Sequence, residues 1–185
     1  KVQGADKAMA LQAAGAVLVK GNHDAAIEKI DGTMNAIART AIEWTRPRLD
    51  RAQSAFLSAM PMTETLDDLL FVHASANDAN DWIYVTSERS ALPSFRVSKA
   101  RVIFCGHVHV PALYTCDMTV RVQSQRISMG MPVPLIRSRR WLCVVGSVGQ
   151  PRDGVPDASY AIFDTATNEM TYRRVAYDRA GTAAK

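Results

Sequence analysis

All four histidines of this 185-residue chain follow short apolar runs, and this arrangement restricts the fold more than any other feature. Short runs rich in β-branched residues, bounded by glycine or polar residues, predict buried strands. In an open α/β sheet, ligands bind in the crevice outside the carboxyl ends of the strands. The sequence therefore predicts an α/β fold with a polar site at one sheet edge. Three apolar runs carry such polar residues. Residues 16–19 precede Gly21-Asn22-His23-Asp24, residues 69–72 precede His73, and residues 101–105 precede Gly106-His107-Val108-His109.

The residue types at these strand ends indicate a metal site. Neutral imidazole is the commonest metal ligand, and asparagine and aspartate oxygens suit harder cations such as Mn²⁺ or Mg²⁺. A lone histidine is more often a hydrogen-bonded structural residue, but four at equivalent strand ends favour a shared site. In extended backbone, His107 and His109 would place both rings on one side of the chain, within reach of one metal or two adjacent ones. We interpret the cluster as a metal centre.

Composition limits the class of protein. The chain is 48% hydrophobic and 22% charged, which is ordinary for a globular protein, and its length favours one domain, 1–185. A net charge of +4 would suit an anionic substrate. The odd number of cysteines, three at irregular spacing, indicates no secreted disulfide framework and favours a reduced, cytoplasmic setting. No apolar run approaches a membrane span, so no membrane partner is expected.

Between the site stretches, the pattern predicts helices at 5–14, at 34–42 and from near Pro47 to Met60, with residues 16–19 as a strand. Hairpins are expected at 62–73 and 159–177, and strands of a second sheet between 119 and 136.

Two further groups of residues have alternative interpretations. Trp82 and Tyr84 either stack on the base or sugar of a nucleotide or pack under a loop, and packing is favoured. The basic run Arg137–Arg140 is interpreted as an exposed turn in preference to a phosphate or nucleic-acid contact. Because aromatic and basic residues do not alternate and no recognition helix is visible, the sequence argues against a nucleic-acid partner.

The site motifs also resemble a known family. Gly-Asn-His-Asp at 21–24, His73 and Gly-His-Val-His at 106–109 are similar to the last three signature blocks of the calcineurin-like metallophosphoesterases. The run 146–154 and the segment 158–164 resemble the C-terminal part of small bacterial phosphodiesterases in that family. The resemblance implies a four-layer α-β-β-α sandwich of two mixed β-sheets flanked by helices. The helices within 31–60 would be a candidate cap insertion over the pocket.

The resemblance also implies the metal ligands. Asn22, His73 and His107 would bind the second of two divalent metal ions, and His109 would bind the first. Manganese is favoured, with iron, zinc, nickel or cobalt as alternatives, because all accept histidine and asparagine ligands. The two ions would activate a hydroxide and stabilise charge on the transferring phosphoryl group.

The remaining site residues implied by the resemblance act on the substrate. His23 would be the general acid that protonates the leaving group, and with Asn22 it would contact a phosphate oxygen. Asp24 would orient the His23 ring, and Arg152 would bind a distal phosphate. The expected reaction is hydrolysis of a phosphorylated small molecule or nucleotide by a phosphodiesterase or phosphatase.

One departure from the family pattern matters. The blocks Asp-x-His and Gly-Asp-x-x-Asp should precede Gly21, and residues 1–20 contain neither. They would supply the bridging carboxylate and two ligands of the first metal, so we expect an N-terminal segment carrying them to precede Lys1. The alternative function is a phosphoesterase-fold scaffold that has lost catalysis and works through protein contacts.

Overall fold

Six α-helices and nine strands occur within residues 2–30, 32 and 34–183, which the computed structural model describes. The chain divides into two compact units, Lys1–Glu64 and Thr65–Lys185, and the single-domain interpretation stays a prediction. The helices are α1 (Val2–Ala13), α2 (Asn22–Glu28), α3 (Ala36–Thr45), α4 (Arg51–Ala59), α5 (Glu88–Val97) and α6 (Arg179–Ala183). The strands are β1 (Thr63–Leu66), β2 (Leu69–Val72), β3 (Val102–Cys105), β4 (Ala112–Cys116), β5 (Val122–Gln125), β6 (Pro132–Pro134), β7 (Arg140–Val144), β8 (Ala158–Asp164) and β9 (Glu169–Val175).

Helices α2, α3 and α4 of the first unit share an apolar core. Helix α4 begins at Arg51 because Asp50 accepts from the Gln53 N–H at 2.7 Å, and Gln53 accepts from the Asp50 N–H at 3.0 Å. The predicted start near Pro47 is therefore wrong, and a short 3₁₀ turn occupies Arg46–Arg48. The buried core residues are Ala26, Ile27, Ile42, Leu57 and Met60. Whether these helices cap a pocket stays a prediction, and Asp31 and Thr33 of that range lie outside the described residues.

The strand predicted at 16–19 is wrong, because residues 16–21 have no strand pairing in the described part of the chain. Lys20 donates its main-chain N–H to the Pro61 carbonyl at 2.7 Å and its Nζ to the Ser58 carbonyl at 2.6 Å. The main-chain N–H and the side chain of this residue are thus both bonded near the end of α4. Helix α2 then begins at once, so Asn22, His23 and Asp24 lie in its first turn.

A six-stranded sheet of order β1-β2-β3-β7-β4-β5 organises the second unit. Strands β2, β3 and β7 are parallel neighbours, whereas β4 runs antiparallel to β7 and to β5. The parallel strands have their carboxyl ends at one edge, which is where a site is expected. The predicted hairpin of β1 and β2 is confirmed, since they are neighbouring strands.

The second sheet has the order β6-β9-β8 with antiparallel pairing. It packs on one face of the six-stranded sheet around buried side chains such as Phe104, Trp141 and Tyr172, and the Tyr172 hydroxyl donates to the Ala112 carbonyl at 2.9 Å. Helix α5 covers the other face through Phe95. Of the strands predicted between 119 and 136, β5 belongs to the six-stranded sheet and only β6 to the second. The α/β class with two sheets and flanking helices is confirmed.

Arg140 joins the six-stranded sheet to the end of α5. Its guanidinium donates to the carbonyls of Phe95 at 2.6 Å, Ser98 at 2.6 Å and Ala100 at 3.0 Å. These oxygens lie at or beyond the carboxyl end of the helix, where cations are favoured. Burial lowers the pKa of Arg140. The interpretation of 137–140 as an exposed turn is therefore wrong for Arg140, which begins strand β7.

Arg140→Met is expected to lower the free energy of unfolding by about 2–3 kcal/mol, because carbonyls bonded to a charged donor lose that partner. Urea unfolding followed by circular dichroism measures the change. Arg137→Met is the matched control, since Arg137 is an exposed member of the same basic run, and its effect should stay within about 0.5 kcal/mol. Equal effects of the two substitutions would contradict this role for Arg140.

All three cysteines lie buried in neighbouring strands of the six-stranded sheet and are free. Cys105 is in β3, Cys116 in β4 and Cys143 in β7. Burial raises the pKa of Cys105 to about 12 and raises that of Cys143 as well. These thiols are therefore inert in the folded protein. Of the helices described, none combines the length and apolar character needed to cross a membrane.

Candidate metal centre

The carboxyl ends of β2, β3 and β7 bring separate stretches of the second unit to one edge. His73 directly follows β2, and Gly106 directly follows β3. The Gly106 N–H donates to the His73 carbonyl at 2.9 Å, and the Val145 N–H donates to the Cys105 carbonyl at 2.8 Å. These bonds continue the sheet pairing past the strand ends and fix the register of the residues that follow.

His73 and His107 lie side by side at this edge. The His73 Nε2 and the His107 Nδ1 are 3.1 Å apart, and His107 is only 6% exposed. Two nitrogens that bind one metal ion at about 2.1 Å, at a right angle or slightly more, are also separated by roughly 3 Å. The separation is that of a hydrogen bond between the two rings, and it is also compatible with two donors to one divalent ion.

The backbone that presents His107 is strained. His107 has φ 61° and His109 has φ 65°, so both are in the left-handed region. The Val108 N–H donates to the Gly106 carbonyl at 2.6 Å, which closes a γ-turn of the rare positive-φ kind around His107. The expectation of extended backbone for His-x-His is wrong for this reason. Such strain persists only where the surrounding structure enforces it, and it concentrates at functional sites.

His109 is held in one tautomer by the loop after β7. Its Nδ1 lies 2.8 Å from the Gln150 carbonyl oxygen, which can only accept, so Nδ1 carries the proton and Nε2 carries the lone pair. Burial lowers the pKa of His109, the positive charge of Arg152 lowers it further, and the bond to Gln150 partly opposes them. The neutral ring is therefore the form present at pH 7, and Nε2 is the atom available to a metal.

Gln150 and Arg152 complete this part of the edge. The Arg152 N–H donates to the His109 carbonyl at 3.1 Å, and its Nη2 donates to the Gln150 Oε1 at 2.8 Å. Arg152 is exposed, so its remaining donors face solvent. The sequence did not predict Gln150, because its contribution to His109 is a main-chain carbonyl that any residue type would supply.

Gly146 allows the loop after β7 to leave the sheet. Its φ is +86°, and a Cβ at this position would lie 2.5 Å from the Ser159 Oγ and 2.9 Å from the Pro111 Cγ. Ser159 is buried, and its main-chain N–H donates to the Ser147 carbonyl at 2.8 Å. Only glycine therefore fits between the sheets here. The loop that carries Gln150 and Arg152 depends on it.

Gly146→Ala is expected to destabilise the protein by about 2–4 kcal/mol, because a left-handed backbone and a clash with buried Ser159 are imposed together. Thermal unfolding measures the loss. Gly149→Ala is the matched control in the same loop, since nothing lies within 4 Å of a Cβ at Gly149. A melting temperature equal to that of the control would show that the loop accommodates the methyl group.

Trp82 and Tyr84 flank the histidine pair. The Tyr84 ring centroid is 4.2 Å from that of His107 at an angle of 34°, and the Trp82 centroid is 5.9 Å from that of His73 at 74°. Tyr84 is 49% exposed and its ring contacts His107, and the favoured interpretation of packing under a loop stays a prediction. Its ring is one wall of the site.

The other predicted site residues lie in the first unit. Asn22, His23 and Asp24 begin α2, where the Gly21 N–H donates to the Asp24 Oδ2 at 2.9 Å. The Asp24 carboxylate thus contributes to the helix start, and its predicted action on His23 stays a prediction. His23 and Asp24 line a cavity of about 390 Å³ whose walls include Leu18, Ile27, Leu49, Leu57 and Met60.

The described residues bring the predicted ligands together only in part. The His73 ring contacts the His107 ring, and the Arg152 N–H donates to the His109 carbonyl. Across residues 2–30, 32 and 34–183, no group of three or more histidine, cysteine, aspartate or glutamate side chains could hold a metal ion. The His73–His107 pair thus offers two donors, whereas a closed tetrahedral site uses four.

A family model described as the calcineurin-like phosphoesterase superfamily domain matches residues 4–168. The chain belongs to the calcineurin-like phosphoesterase superfamily. The family predicted from the histidine motifs is confirmed, and members of this superfamily are hydrolases that generally use divalent metal ions on phosphorylated substrates.

Three relatives are similar to this calcineurin-like phosphoesterase chain in sequence or in structure. It is 33% identical to a metallophosphoesterase from Sphaerobacter thermophilus, whose crystal structure matches at TM-score 0.76 over 90% of this chain and 68% of that one. A hypothetical protein from Pyrococcus horikoshii OT3 matches at TM-score 0.67 over 91% of this chain and 66% of that one, with 14% identity, and shows the fold alone. An uncharacterized protein from Methanocaldococcus jannaschii is 29% identical over 170 residues, which are 86% of this chain and 65% of that relative. The phosphoesterase chain thus spans less than two thirds of the length of the curated relative it matches.

Proposed function

We propose that the protein hydrolyses phosphate esters with divalent metal ions, as a phosphodiesterase or a phosphatase. The observation that carries the proposal is the His73–His107 pair, with ring nitrogens 3.1 Å apart at the ends of adjacent parallel strands. Its location at strand ends is where α/β sheets bind ligands. Membership in a phosphoesterase superfamily supports the reaction class.

Asn22, His73 and His107 are the proposed ligands of one metal ion, and His109 is the proposed ligand of a second. When bound, such ions polarise a phosphoryl oxygen and lower the pKa of water. Manganese is the proposed metal, and iron, zinc, nickel and cobalt suit the same donors. The Gln150 carbonyl supports the role of His109, because it leaves the Nε2 lone pair available.

The proton needed by the leaving group comes, in this proposal, from His23. An alkoxide is a poor leaving group, and a positioned imidazolium that donates a proton to its oxygen lowers the barrier. Asp24 orients that imidazole. Arg152, whose guanidinium is exposed beside His109, binds a distal phosphate oxygen of the substrate.

The proposed substrate is a phosphorylated small molecule or a nucleotide, and neither nucleic acid nor a membrane is a proposed partner. The three free cysteines support a reducing, cytoplasmic setting.

Hydrolysis of bis(4-nitrophenyl) phosphate and of 4-nitrophenyl phosphate, measured with Mn²⁺ and with EDTA, tests the proposed function. Manganese-dependent release of 4-nitrophenol that EDTA abolishes is the expected result, and the relative rates on the two esters distinguish a phosphodiesterase from a phosphatase. Manganese binding measured by calorimetry without turnover of either ester would favour the inactive scaffold. Turnover that persists in EDTA would overturn the metal-dependent proposal.

A further inference from the structure

We propose that Trp82 and Tyr84 form an aromatic platform that selects phosphodiesters carrying a nucleobase. The inference rests on the proposed phosphoesterase function and names a substrate class for it. The platform is defined by these two rings, each of which contacts one histidine of the pair: Tyr84 contacts His107, and Trp82 contacts His73. A phosphate bound at the pair is therefore next to both rings.

The exposure of Tyr84 distinguishes it from a packing residue. A single exposed aromatic ring is common on protein surfaces and by itself indicates nothing. Tyr84, however, is 49% exposed while its centroid lies 4.2 Å from that of the buried His107. One side of the ring therefore covers a candidate metal ligand, and the rest is open to a flat ligand.

The segment that carries the two rings is fixed in place. Val85 is only 1% exposed and anchors the chain beside Tyr84 in the core under α5. The Thr86 N–H donates to the Ser90 Oγ at 2.9 Å at the start of that helix. Trp82 has φ 51°, a conformation that is rare for an aromatic residue and that the surrounding structure must enforce. The platform is thus formed before a substrate arrives.

A nucleobase is the substrate group that such a platform recognises. Base stacking on aromatic side chains strengthens binding by about tenfold per base and needs no specific hydrogen bond. A glycerol or another aliphatic alcohol has no π-face and gains little from the same surface. The platform therefore favours nucleoside phosphodiesters over aliphatic ones with the same phosphate group.

Adenosine 5′-(methyl phosphate) and glycerol 3-(methyl phosphate) test the inference in the manganese-loaded protein, because they share the methyl phosphodiester and only the first carries a nucleoside. The ratio of kcat/KM for the two diesters should favour adenosine and should fall about tenfold in Tyr84→Leu. Tyr84→Phe keeps the ring and should preserve the ratio. Tyr177→Leu, at a partly exposed tyrosine of the same unit, is the matched control and should also preserve it.

A binding measurement separates the inference from the proposed function. Calorimetric titration with adenosine 5′-monophosphate and with glycerol 3-phosphate should show tighter binding of the nucleotide, and Tyr84→Leu should remove most of that preference. If neither diester is hydrolysed but this preference appears, the platform stands and the proposed function fails. If both are hydrolysed without preference, or if Tyr84→Leu retains it, the function stands and the platform is overturned. Absence of both hydrolysis and preference overturns both.

Discussion

His107→Ala is expected to remove one metal equivalent and to reduce kcat/KM on bis(4-nitrophenyl) phosphate by about a thousandfold or more. The His107 Nδ1 faces the His73 Nε2 at 3.1 Å, so an alanine leaves His73 as a single donor at this point. Manganese content measured by inductively coupled plasma mass spectrometry, together with the initial rate, tests the expectation.

Because His107 is buried and lies in a strained turn, the variant could lose metal simply by unfolding. His73→Ala provides the second variant, since His73 follows β2 with ordinary backbone and is less deeply buried. Melting temperatures of both variants in EDTA establish that they are folded. Full metal content in either folded variant would refute the assignment of the pair as ligands.

His23→Ala is expected to lower kcat by about a hundred- to ten-thousandfold on a diester with an alkoxide leaving group, while the metal content stays nearly intact. The reason is chemical: without the imidazole at the start of α2, the departing oxygen has no positioned proton donor. Steady-state kinetics with methyl-ester substrates and a parallel metal analysis test both parts.

The leaving group provides an internal control for His23. The 4-nitrophenolate ion leaves without a proton, so the loss in His23→Ala should be much smaller on bis(4-nitrophenyl) phosphate than on an alkyl diester. An equal loss on both substrates would exclude the role of general acid. Loss of metal in His23→Ala but not in His107→Ala would mean that the two roles are exchanged.

Much of the second unit could be predicted from local pattern. The apolar runs before His73 and Gly106 are strands because residues 69–72 and 102–105 pair directly in parallel. The run at 16–19 is also apolar, yet it forms no strand among the described residues, since Lys20 bonds near the end of α4 instead. A short apolar run predicts burial more securely than it predicts pairing, which depends on a distant partner.

The site was predictable in its residue types and less so in its geometry. Histidine at a strand end is visible in the sequence. The left-handed backbone of His107 results from a γ-turn that the residue types do not predict. Arg140 belongs to a basic run that indicates a surface, and its partners lie about forty residues earlier in the chain, as the 42-residue separation from Ser98 shows. Such contacts are set by tertiary structure and are absent from any sequence window.

The three buried thiols can be used to detect opening of the six-stranded sheet. Cysteines occur only at 105, 116 and 143, all in the central strands β3, β4 and β7, and Lys1–Glu64 contains none. An aromatic disulfide reagent should therefore label nothing until those strands separate, and the labelling rate gives the free energy of that event alone. Tryptophan fluorescence reports on both units, because Trp44 lies in α3 and Trp82 and Trp141 lie in the second unit. Whether the two units melt as one cooperative body or in succession can be determined from these natural probes.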